Sequence, residues 1–208
     1  MNKIKIIKCQ KENIPFFTNI MDESFSDKYP KFFSGIDKEI YLRILNQQNS
    51  LELEKSIFSG KFLIRYNHKI AGAIEFYVNR KEMFFYKTFK ILIENIGGIK
   101  ALKIYFMLLG FGPPVNFPKR TLFIDKIGVL KKYQGNGLGT KLMQFAIDFA
   151  RKLKYDYLML EVISRNKKAI SLYHKLGFKI IRKVNTKLGQ AFVGVDSYYI
   201  MRKTMQSD

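Results

Sequence analysis

The sequence has no tryptophan, a single cysteine, and only 17 acidic residues set against 37 lysines and arginines. Each shortage excludes something. One cysteine, Cys9, cannot build an internal disulfide framework, and no histidine–cysteine cluster has the spacing of a zinc site, so no metal is expected. A reducing, cytoplasmic setting is the default for such a chain. No run of about 18 apolar residues occurs, and the opening MNKIKIIKCQKEN breaks its apolar residues with charge. Neither a spanning helix nor an export signal is expected. The shortage of acid leaves a formal charge of +20, which attracts polyanions of any kind. Its lysines, however, are scattered through a chain rich in Lys, Ile and Asn, so no specific nucleic-acid partner is expected. A basic groove for a phosphate-bearing ligand remains natural.

What is present is material for a core. Apolar residues make up 47% of the 208, and 19 Phe with 12 Tyr can fill an interior without tryptophan. Disorder is excluded, and the length suits one domain over 1–208.

Residues 3–9 alternate as a first strand, and 14–58 carry helical spacing broken at Tyr29-Pro30 and Ser34-Gly35, which predicts two or three short helices. KFLIRY and KIAGAIEFYV flank Asn67-His68 as a hairpin. The stretch 83–112 has helical length with a Gly97-Gly98 break, predicting two helices joined there. Pro113, Pro114 and Pro118 force an extended connector before the strand TLFIDKIGV. Leu138, Leu142, Phe145, Ala146, Phe149 and Leu153 mark one face of a helix, YDYLMLEVI a buried strand, and 167–176 a helix closed by Gly177. FKIIRKV and AFVGVDSYYIMRK end the chain as two strands around 185–190.

Between the strand ending at Val129 and the helix that follows, three glycines alternate in QGNGLG, Gln134 to Gly139. Bare amides at a strand-to-helix turn make an anion cradle. The spacing is not Walker A, because Thr140-Lys141 stand in the wrong order, and it is not the dinucleotide fingerprint, because Thr140 occupies the place of its last glycine. It resembles the acetyl-CoA loop of the GNAT superfamily of N-acetyltransferases, in which Gln or Arg is followed at the third position by Gly and at the fifth by Gly or Ala. A second block, LEVISRNKKAISLYHKLGFKII over 160–181, is similar to that superfamily's strand, Asn-x-x-Ala, Tyr and Leu-Gly-Phe sequence. The resemblance is clear over 122–181 and extends by element order to the rest, except for an insertion at 83–118.

The resemblance implies an α/β (α+β) fold with a mixed, mostly antiparallel sheet of about seven strands flanked by helices, the insertion lying before the strand that leads into the glycine loop. It implies acetyl-CoA as donor, lying along Ile127, Gly128 and Val129 and on Gln134, Gly135, Asn136, Gly137, Leu138, Gly139 and Thr140, with Asn166, Lys168 and Tyr173 from the last helix. Lys131, Lys132, Lys141, Arg165 and Lys167 stand close enough in sequence to share in neutralising phosphate. The acceptor would be a primary amine of a small molecule or peptide, attacked directly in a ternary complex. Lysine, polyamine, aminoglycoside and protein N-terminus all stay open.

Acetyl transfer needs a base, an oxyanion donor and an acid for the leaving thiolate. Tyr173 falls on the superfamily's general-acid tyrosine; the plain alternative is an aromatic packing residue. Asp125, on the strand entering the loop, and Glu161, twelve residues before Tyr173, are the candidate bases, the alternative for each being an ion pair with a nearby lysine. Asn166 can also serve simply as an N-cap. A backbone N–H near Val129 is the expected oxyanion donor, and His68, His174 and Cys9 receive no role. The competing function is a non-catalytic acetyl-CoA-binding sensor or scaffold. For the insertion three roles stand: a lid or packing element, which apolar helical stripes favour, a homodimer surface, or a basic amphipathic surface making weak contact with anionic membrane over 83–112. Monomer and homodimer both remain open.

Overall fold

Asn67 and His68 both adopt left-handed backbone, with φ of 48° and 67°, the pair of conformations that closes a two-residue hairpin in step with strand twist. They join β2 (Ser59–Tyr66) to β3 (Lys69–Tyr77). This is a computed structural model, and it describes residues 3–26, 29–55, 59–77, 85–109, 117–186, 190 and 194–205. β1 (Ile4–Lys8), β4 (Thr121–Val129), β5 (Tyr157–Ile163), β6 (Lys179–Asn185) and β7 (Ser197–Thr204) complete a seven-stranded sheet in the order β1-β2-β3-β4-β5-β7-β6. Among the described residues only the central β4–β5 pair is parallel. Its crossover is α6 (Leu138–Lys152), as a parallel connection requires.

Strand alternation sends Leu63 and Ala73 to one face and Ile64 and Ile74 to the other. The second face is covered by α6 and by α7 (Lys167–Lys175), whose Leu142, Met143, Ala146 and Ile170 pack on Ile74, Leu122, Leu158 and Met201. Phenylalanines do here what tryptophan would otherwise do. Phe62 and Phe76 on the sheet meet Phe145 and Phe149 of α6, with ring centroids as close as 4.8 Å. On the first face α1 (Ile14–Ser24) lays Phe17, Ile20 and Met21 over Leu63 and Ala73. α2 (Tyr29–Phe32) and α3 (Lys38–Lys55) follow. The insertion is a helical hairpin, α4 (Phe85–Ile96) and α5 (Gly98–Leu109), turning at Gly97 with φ of 75° and packing on α3.

The expected order of elements therefore stands, with one boundary moved. The last strand begins at Ser197, and Gly194, Val195 and Asp196 precede it outside the strand; Ala191 to Val193, like Pro113 and Pro114 of the connector, lie outside the described residues.

Under α1 and α3 the sheet buries a cluster of charge. Lys61, 2% exposed, pairs with the fully buried Glu75 and, at 2.8 Å, with Glu52, while its ammonium lies 4.7 Å from the Phe17 ring centroid. Lys126 approaches the other Glu75 oxygen at 3.0 Å. A plain two-residue hairpin would set Lys61 opposite Ile74. The extra residue Ala71 in β3 shifts the register by one and sets it opposite Glu75 instead. Burial opposes the Glu52 charge, but the Lys126 and Lys61 ammoniums outweigh it and hold the carboxyl down at about 2. Burial also lifts Glu75 above the usual carboxylate range against the pull of the same two lysines. For Lys126, the penalty of burial is exceeded by Glu75 and Glu52, which carry its ammonium well above the usual lysine value.

Replacing Lys61 with Met should cost about 3–5 kcal/mol in denaturant unfolding, because two carboxylates lose a buried partner. Adding Glu75→Gln to that variant should recover part of the loss. A depressed carboxyl stabilises above its unfolded value, so the Glu52 contribution should be present above pH ~4.3 and disappear as pH falls toward 2, read as the difference between wild type and Glu52→Gln. Gly128→Ala should cost about 1–3 kcal/mol by overpacking, since its Cβ would collide with Ser24 and come within 3.2 Å of Ile20 on α1.

Candidate active site

β4 and β5 are hydrogen-bonded over only four pairs, from Thr121↔Tyr157 to Ile124↔Leu160. Beyond that point each strand keeps its other neighbour. β4 stays with β3 as far as Val129, and β5 stays with β7 as far as Ile163. A gap in the pairing opens between them, walled by strands that are each held from behind. Asp125 and Glu161 are the first residues past the last shared pair, one on each arm.

The two carboxylates arrive there differently. Along β3 and β4 the pairing passes from Phe76↔Ile124 to Glu75↔Lys126, so Asp125 is the extra residue of a bulge. Its carboxylate lies 3.6 Å from Lys126 Nζ, at the edge of the buried charge cluster. It also acts on Tyr77, whose phenol is pushed well above its ordinary value first by burial and then by Asp125, Glu75 and Glu52. Glu161 sits regularly in β5 opposite Ile200. Because Leu158, Leu160 and Val162 face the core under α6 and α7, alternation turns Glu161 to the opposite face. Tyr173 comes from the other side. It is 6% exposed on α7, shares that core with Leu138 and Val162, and stands 6.0 Å from the Phe178 ring. Burial pushes its phenol up to about 12.

The loop after β4 runs through one 3-10 turn at Lys131–Tyr133 into α6. Gln134 Nε2 donates to Val129 O at 3.0 Å, tying the far side of the turn to the strand end. Asn136 donates to Tyr133 O at 3.1 Å and accepts from Tyr66 Oη at 3.2 Å. Glu23 of α1 accepts from the Lys131 amide. Gly135 and Gly137 both take left-handed φ, 82° and 72°, where a side chain would be strained. Gly137 is the N-cap of α6. A serine or aspartate there would bond the first-turn amides to itself, whereas glycine leaves the N–H groups of Leu138, Gly139 and Thr140 for a ligand. A Cβ at Gly135 or Gly137 would meet nothing within 4 Å, so the approach is open. These residues fit an anionic phosphate group.

Ile127 and Val129 pack against the core under α6, and Gly128 faces α1. Asn166 is the N-cap of α7, its Oδ1 accepting from Ala169 N at 3.1 Å, so the capping role is present. Lys168 is exposed on the first turn of that helix, as are Lys132 and Lys141 on the loop side. Cys9 is buried at 1% exposure with its thiol raised by burial to about 11, and no thiolate is available there at neutral pH. Sequence reasoning missed Lys61, Glu75, Glu52 and Lys126 as neighbours of the site. The available signal was a lysine and a glutamate inside otherwise apolar strands, but two bulges hid their pairing.

A model of the acetyltransferase (GNAT) family matches residues 18–178. The chain is 38% identical over 76 residues to streptothricin acetyltransferase of Streptomyces lavendulae, a match covering 36% of this chain and 34% of that protein. It is 31% identical over 88 residues to N-alpha-acetyltransferase 30 of Saccharomyces cerevisiae, covering 42% and 49%. The chain thus spans between a third and a half of these two relatives. Among solved structures, the N-acetyltransferase from Staphylococcus aureus Mu50 superposes with a TM-score of 0.65 at 15% identity, covering 98% of this chain and 99% of that one. The ribosomal-protein-S18-alanine N-acetyltransferase from Escherichia coli superposes at 0.60 and 17%, covering 99% and 96%. With the parted central strands and the glycine-capped helix already in place, the match over 18–178 leads to one conclusion: the chain belongs to the acetyltransferase (GNAT) family.

Proposed function

We propose that the protein is an N-acetyltransferase of the cytoplasm that moves the acetyl group of acetyl-CoA directly onto a primary amine in a ternary complex. The observation that carries this reading is the gap between β4 and β5, with Asp125 and Glu161 at its apex and the open amides of α6 at its mouth. The pyrophosphate of the donor rests on the amides of Gly135 to Thr140, with Asn166 and Lys168 beside the nucleotide end. The pantetheine arm runs along Ile127, Gly128 and Val129. Donor and acceptor approach from opposite faces of the sheet, because Tyr173 faces the side of α6 and α7 while Glu161 is turned to the side of α1.

The neutral amine attacks the thioester carbonyl, forming the C–N bond, and Asp125 or Glu161 takes the amine proton directly or through a water. A backbone N–H near Val129 holds the oxyanion. As the C–S bond breaks, Tyr173 donates its hydroxyl proton to the sulfur. A phenol raised by burial to about 12 stays protonated across the working range, so it enters every turnover as a donor.

Titration calorimetry of acetyl-CoA should show binding by the wild type and its loss in Gly137→Glu, whose carboxylate would oppose the pyrophosphate. Absence of wild-type binding would remove the donor and the acetyltransferase reading together. Tyr173→Phe should lower kcat by about 10²–10⁴ with little change in acetyl-CoA affinity, and an unaltered kcat would refute its role as acid. With the Tyr173 phenol near 12, the wild-type rate should show no alkaline fall due to this group up to about pH 10. Whichever of Asp125→Asn and Glu161→Gln removes the limb in which the base ionises identifies that base. Binding without turnover of any amine would favour the sensor or scaffold reading.

A further inference from the structure

The α4–α5 hairpin has two faces of different chemistry. Its inner face buries Leu92, Ala101 and Ile104 against Phe33, Tyr41 and Ile44. Its outer face is not polar, as the solvent side of a packed helix ordinarily is. Ile99 is 89% exposed, Phe106 62%, Leu102 45% and Ile93 42%. At about 100° per residue, Ile99, Leu102 and Phe106 fall within a sector of roughly 60° on α5 and form one ridge. The ridge starts at the tip of the hairpin. A Cβ on Gly97 or Gly98 would meet nothing within 4 Å, so the space beside this tip is open.

Lysines border the ridge. Lys100 and Lys103 are exposed on α5, and Lys90 is exposed on α4 with Lys87 a turn before it. Over 85–109 the one acidic residue is Glu94, 3.8 Å from Lys90. Branched and aromatic side chains flanked by ammonium groups match hydrocarbon beneath anionic headgroups: the ridge enters the acyl boundary while the lysines extend to the phosphates. A second copy of the chain matches less well, since a two-fold contact through this face would set lysines against lysines. We infer that the outer face of the α4–α5 hairpin docks the protein peripherally on an anionic lipid surface. The contact is independent of acetyl transfer, and among the described residues no helix is long and apolar enough to cross a membrane.

The test is co-sedimentation of the full chain with vesicles of phosphatidylcholine alone and of an equimolar mixture with phosphatidylglycerol. The protein should pellet with the mixed vesicles and stay in solution with the neutral ones. Ile99→Ser with Phe106→Ser, and separately Lys100→Gln with Lys103→Gln, should each weaken binding by about tenfold or more. Unchanged circular dichroism and acetyl-CoA affinity in both double variants would show that the fold and the donor site are intact. Three results would overturn the inference: no pelleting with anionic vesicles; pelleting that ignores the ridge variants, which would assign it to the diffuse charge of +20; or a concentration-dependent dimer in sedimentation velocity that the ridge variants abolish, which would assign the face to a second copy.

Discussion

Two parallel strands that share hydrogen bonds for four residues and then part leave backbone donors and acceptors facing a gap, and a protein can carry such a defect at its centre only if both walls are held elsewhere. Here they are. β4 is one arm of a ladder with β3 that runs on to Val129, and β5 is one arm of a ladder with β7 that runs on to Ile163. The sheet is thus two antiparallel units joined by a short parallel seam. The helices follow from that division: α6 bridges the seam because a parallel connection needs a crossover, and its first turn falls at the mouth of the gap. The glycine at its N-cap brings no side chain to bond the first-turn amides there.

The buried charges bear on the same arrangement. Lys126 stands next to Asp125 in β4 and is itself held by Glu75, which is held by Lys61, which reaches Glu52 on α3. Buried ion pairs of this kind rarely add stability over an apolar core. What they do here is join β2, β3 and β4 to α3 in a single register, since a slip by one residue would separate each pair and leave charge buried alone. The bulge at Asp125 belongs to that register.

Much of this was legible in the sequence, for identifiable reasons. Asn67-His68 between two β-rich runs specified the hairpin, the three-and-four spacing from Leu138 onward specified α6, and Gly97-Gly98 specified the break in the insertion. The alternating glycines of QGNGLG marked the loop because left-handed turns and close approach to bare backbone both call for glycine. The features not legible were those that depend on register. Bulges at Ala71 and Asp125 change which residues face one another without leaving a signal in composition or period, so the Lys61–Glu75 pairing could not be read. The parting of β4 from β5 leaves no mark in composition or period, because the number of shared pairs is set by tertiary packing. The start of β7 was misplaced because Ala191 to Val195 continue an apolar pattern, whereas the strand pairs only from Ser197.

The seam between the two units also has a thermodynamic meaning. β5, α7, β6 and β7 form a C-terminal section joined to the rest of the sheet by four backbone pairs and by packing beneath α6. A section attached in this way is the natural place for partial opening below the global unfolding energy. Any ligand that touches both walls of the gap is lost when that section opens, so its binding stabilises the closed form by mass action. Amide protons of β5 and β7 therefore report on occupancy of the gap: their exchange slows when a ligand bridges its two walls.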